Sequence, residues 1–133
     1  MKFFLRILLI LGLAYLVQSF FPFWTAAIVA FVVGLVLSER RKRRVFGNKK
    51  QAKSYSFLAG FLALFILWGG MSWYLDAQNA SLLSEKIAQL LLRGQEAPFQ
   101  GAWFMILTTA LIGGLMGGFS CLSGNLLGEA IKS

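Results

Sequence analysis

Apolar residues run almost unbroken through four stretches of the chain, and only two polar stretches of any length interrupt them. The first apolar run covers residues 3–21 and is long enough to cross a hydrocarbon core of about 30 Å as a helix. Pro22 breaks it, and a second run follows from Trp24 to Leu37. That run is only about 21 Å long as a helix, so the expected span is 23–40, with Arg40 reaching toward the headgroups. The two runs read as a tight helical hairpin turning at Ser19–Phe23. A third span is expected over 55–75 and a fourth over 101–127.

The polar stretch between the third and fourth runs contains one more helix. Ser81 is placed to cap a helix over 82–93, and Gly94 to end it. Leu83, Ile87, Leu90 and Leu91 fall on one face and Ser84, Glu85, Gln89 and Arg93 on the other. Too polar to span, this segment is expected to lie in the membrane interface with its apolar face down. The fold class that follows is an all-α integral membrane protein, with four transmembrane helices and one short amphipathic interfacial helix. Residues 1–133 form a single domain, without internal repeats.

Composition agrees with this pattern. Hydrophobic residues make up 58% of the chain and charged residues 14%, against about 25% charged in soluble domains, and the mean hydropathy is +0.71. A signal peptide is the competing reading of the first run, since Lys2 and Arg6 flank its start. Cleavage after Ser19 would leave another apolar segment as the new N-terminus, so an uncleaved span is preferred.

The formal charge of +8 changes the picture through its location. Arg40, Arg41, Lys42, Arg43, Arg44, Lys49, Lys50 and Lys53 crowd into the loop 39–53. Short basic loops stay cytoplasmic, which puts both termini inside and 76–100 outside, in a multi-pass protein of the cell (inner or plasma) membrane. Trp24, Trp68, Trp73 and Trp103 then all fall in the outer half, as an interfacial aromatic belt. The same eight basic residues are candidate contacts for anionic lipid headgroups. No aromatic side chains interleave with them in the manner of a nucleic-acid surface, so nucleic acid is not an expected partner.

The last apolar run is glycine-rich. Ala110, Gly113, Gly114, Gly117, Gly118, Cys121, Gly124 and Gly128 gather on about half of the helix circumference, with bulky residues opposite. In lipid, such a face favours close helix packing. It is expected to meet the protein's own spans, with a homo-oligomer or a larger membrane complex as the other partner.

Candidate chemistry is sparse. There is no histidine and Cys121 is the only cysteine, which removes Ser-His-Asp and Cys-His catalysis and the usual zinc or haem ligands. No cofactor, metal or catalytic residue is assigned. No ionisable residue sits mid-span: Arg6, Asp76 and Glu129 all lie near span ends, where each can reach the interface. Ser120, Ser123, Asn125 and Glu129 form the one polar grouping, expected to bond between helices while Glu129 pairs with Lys132. The function expected is that of a non-enzymatic scaffold or accessory subunit of a larger membrane assembly. The alternatives are a small oligomeric channel or carrier built on the glycine face and, third, an enzyme of lipid or cell-wall precursors.

Overall fold

The structure is a computed structural model and describes residues 2–38, 49–92 and 101–132. Among the described residues there are five helices and no strand. Helix α1 covers Lys2–Phe20, α2 Thr25–Val36, α3 Lys49–Gln78, α4 Leu82–Leu91 and α5 Gly101–Ile131.

Three of these, α1, α3 and α5, are long and apolar enough to cross a membrane. The segment expected to span over 23–40 is shorter than that. Its helix α2 has 12 residues, about 18 Å of rise. The proline turn takes up its start: Thr25 N–H and Thr25 Oγ both bond the Pro22 carbonyl, at 3.1 and 2.7 Å, and Ala26 and Ala27 close onto Phe23 and Trp24. At its end, Leu37 and Ser38 close the last turn on Val33 and Leu35. Helix α3 in turn begins six residues before the expected 55. No glycine or proline lies between Lys49 and Ala59 to stop it, and lysine, glutamine and alanine favour helix outside a bilayer as well as in one.

Helix α5 lies along both α3 and α2, while α1 packs on α2 and α3 and stands diagonally opposite α5. The centre of the bundle is built mainly from small side chains. Ala14, Ala26, Ala30, Ala63 and Cys121 are fully buried together with Ile10 and Leu64. The large apolar side chains point out instead: Phe4, Leu8, Phe20, Val36, Ile112 and Phe119 are all more than half exposed. A water-soluble bundle would bury such residues first. Lipid reverses the preference, because tails solvate leucine and phenylalanine well while close backbone approach needs small residues. The distribution is that of a membrane protein.

The turn from α3 to α4 differs from the capped start expected at Ser81. Ala80 and Ser81 adopt positive φ, 49° and 59°, and Ser81 N–H returns to the Asp76 carbonyl at 3.1 Å to close the end of α3. Held in this left-handed conformation, Ser81 makes no side-chain cap to α4. Its hydroxyl donates instead to Asp76 Oδ2 at 2.7 Å.

Candidate functional site

The small residues of α5 meet two neighbours at different levels. Gly113 faces the Trp68 ring, Gly114 Phe61 and Gly118 Phe57, while Ala110 sits against Gly69, all on α3. Gly117 and Gly60 oppose one another so closely that a Cβ built on Gly117 would stand 2.5 Å from the Gly60 carbonyl oxygen. Farther along, α5 turns the same face to α2. Cys121 backs onto Gly34, Gly124 onto the Phe31 carbonyl, and Gly128 onto Leu35 and Ser38. All eight positions are buried. The face is therefore covered by α3 and α2.

At the level of Gly124 and Gly128, helices α1, α2, α3 and α5 share a polar cluster. Arg6, one turn into α1, is half-buried and turns toward the neighbouring helices. Its Nη1 donates to Ser56 Oγ at the start of α3, and its Nη2 to the Leu37 carbonyl at 2.6 Å and to Asn125 Oδ1 of α5 at 3.1 Å. One guanidinium thus joins the start of α1, the end of α2, the start of α3 and the end of α5. The planar fork of arginine suits such convergent acceptors better than an ammonium would.

Asn125, itself only 3% exposed, passes the tie on. Its Nδ2 donates to Glu129 Oε1 at 2.9 Å, one turn along α5. Arg6 and Glu129 are therefore linked through a neutral amide. Lys132 also departs from the expected pairing with Glu129. Its Nζ donates to the carbonyls of Ser38 at 2.7 Å, Val36 at 3.2 Å and Leu35 at 3.4 Å. A helix C-terminus carries partial negative charge and unpaired carbonyls, so a lysine from α5 placed there both caps and attracts. Of the other members expected, Ser120 is half-buried and Ser123 exposed.

Sequence reasoning missed Ser38 and Ser56, both buried polar residues of this cluster. The available signal was Arg6 itself: a guanidinium one turn inside an apolar helix requires acceptors from elsewhere in the fold. Of the expected lipid-contact residues, Arg40, Arg41, Lys42, Arg43 and Arg44 lie outside the described residues, Lys49 and Lys50 open α3, and Lys53 is exposed.

At the opposite end, Asp76 near the close of α3 anchors α4. Its carboxylate accepts from the hydroxyls of Ser81 and Ser84. Helix α4 meets α5 through Ala88, buried against Gly101. Leu83, Leu90 and Leu91 are exposed, Leu83 and Leu90 on the side of the helix away from Ala88, and Ile87 is half-buried. The helix therefore docks through Ala88 with Glu85 beside it at the seam, and leaves Leu83, Leu90 and Gln89 exposed. A pocket of about 200 Å³ opens between α3, α4 and the start of α5, lined by Trp73, Asp76, Ser81, Glu85, Trp103 and Ile106 among others. Among the described residues no group of three or more His, Cys, Asp or Glu side chains could hold a metal ion.

Compared with known proteins, the chain matches no family model, no curated protein and no solved structure.

Proposed function

We propose that this chain is a non-enzymatic multi-pass membrane protein that acts as a scaffold or accessory subunit of a larger membrane assembly. The observation that carries the reading is the use made of the charged groups that enter the bundle. Arg6 and Lys132 at one end and Asp76 at the other each tie helices or helix ends together, and Glu129 supports Asn125 within α5. Charged groups are costly inside a membrane and most often mark a transport or proton path. Here their contacts are those of fasteners. The channel or carrier reading draws on the glycine face, and that face is covered by α2 and α3.

In this proposal all four of α1, α2, α3 and α5 cross the membrane. Helix α2 is short, but only four residues separate it from the end of α1, and it returns to the level of Arg6, where the Leu37 carbonyl accepts from the guanidinium. The hairpin thus covers the same depth on its way back. The basic loop 39–53 places that end, and with it both termini, in the cytoplasm of a cell-membrane protein. Helix α4 lies in the outer interface.

Two measurements test the assignment together. The protein extracted in mild detergent at native expression level should run as a complex with a partner in fixed stoichiometry. Reconstituted alone in liposomes, it should carry no proton or ion flux above empty vesicles. A lone monomer after cross-linking in intact membranes, or a flux that depends on the protein, would remove the scaffold reading.

A further inference from the structure

The pocket at the Asp76 end combines aromatic and acidic side chains. Two indoles, Trp73 of α3 and Trp103 of α5, border it, and both are about half exposed. Asp76 and Glu85 bring two carboxylates to the same space, and among the described residues that line it none is basic. The two hydroxyls that bond Asp76 fix its position, whereas Glu85 is exposed on the first turn of α4. We infer that this pocket binds a substituted ammonium group, attracted by the two carboxylates and held against the two tryptophan rings.

The chemistry selects among ligands. An anion would meet two like charges. Among the described residues no group of three or more acidic or other ligating side chains could hold a metal ion, and indoles offer it no oxygen ligand. A diffuse organic cation fits both features, since aromatic rings attract it through their quadrupole and tryptophan does so best. At about 200 Å³, the pocket is below the 300–1,000 Å³ range of sites for drug-sized ligands. It suits a head group. The cation can arrive as part of a lipid headgroup or as a free methylated amine. The inference does not depend on the scaffold reading.

The probe is tetramethylammonium, titrated calorimetrically into the full chain held in nanodiscs of phosphatidylglycerol, a lipid without an ammonium group. Saturable one-to-one binding is expected, with none for sodium at the same ionic strength. Trp103→Leu should weaken it ~5- to 30-fold, while Trp103→Tyr, which keeps a ring, should lose much less. Glu85→Gln should also weaken it, and this exposed residue can be changed without loosening the anchor at Asp76. Nanodiscs of phosphatidylcholine assign the source: binding suppressed there means that a lipid headgroup takes the site, and binding retained means a free solute. Either result supports the inference. Absence of saturable binding in phosphatidylglycerol, native affinity in both Trp103→Leu and Glu85→Gln, or equal binding of sodium would overturn it.

Discussion

At the scale of single residues, the interior is governed by what a methyl group would strike. A Cβ on Gly124 would press into the Phe31 carbonyl and come within 3.0 Å of the Leu35 nitrogen, both backbone atoms that cannot rotate aside. Gly70 has nothing within 4 Å of the same position. Gly124→Ala should therefore cost about 1–3 kcal/mol, the range for overpacking a close-packed site. Gly70→Ala should be neutral or slightly stabilising. Chemical unfolding of both variants in detergent separates the two effects, and equal stability would contradict the close approach of α5 to α2. Arg6 is the other decisive residue. Arg6→Ala leaves the Ser56 hydroxyl, the Leu37 carbonyl and the Asn125 oxygen without this donor. Hydrogen bonds from a charged group contribute about 1.5–3 kcal/mol each, so a loss near 3 kcal/mol is expected on the same unfolding scale. Arg6→Lys should recover only part of it, because one ammonium cannot reproduce the fork.

Between residues and the bundle stand the helices, whose lengths and ends are set by local chemistry and then by neighbours. Helix α2 would be the weakest of them in isolation, since a helix of 12 residues is marginal without tertiary support. Its support comes from other elements: α5 along its length, Lys132 on the carbonyls of Leu35, Val36 and Ser38, and Arg6 on that of Leu37. Lys132→Met keeps the aliphatic stem and removes the charge. Hydrogen exchange at Leu37 and Ser38 should then quicken about 2- to 5-fold, corresponding to the 0.3–1 kcal/mol of a cation at a helix C-terminus. The amide of Ile10 in α1 should be unchanged. Uniformly faster exchange would mean that the lysine holds the whole bundle rather than one helix end. Helix α4 shows the limit of a wheel diagram. Its leucines form a clear apolar strip in the sequence, yet the strip that docks on α5 is the one with Ala88, because close approach to Gly101 requires a small residue.

For the whole molecule, the defining property is the reversal of side-chain size between inside and outside. Alanine, glycine and cysteine fill the centre while phenylalanine, leucine and isoleucine cover the outer faces. The proposed orientation adds a direction to that arrangement. Cysteines introduced at Asn48 and at Gln95, one at a time in a background lacking buried Cys121, should respond oppositely to an impermeant thiol reagent on intact cells. Labelling at 95 and protection at 48 are expected. The reverse pattern would invert the topology and move the tryptophan-lined pocket to the cytoplasmic side.

What the sequence determined by itself are the properties that accumulate residue by residue or repeat with the helix. Apolar runs of sufficient length mark helices able to cross a membrane, Pro22 marks the break between the first two, and a 3.6-residue period gathers Ala110 to Gly128 on one side of α5. Helix ends were less legible. The start of α3 at Lys49 and the short reach of α2 depend on how water, lipid and neighbouring helices share the terminal turns. Only the tertiary structure decided where the polar side chains go. Arg6 bonds Ser56 and Asn125 across separations of 50 and 119 residues, and Lys132 reaches α2 instead of its neighbour Glu129. In an apolar medium every buried donor seeks the nearest acceptor, whatever chain segment supplies it. Which acceptor is nearest is a property of helix arrangement, and no local pattern encodes it.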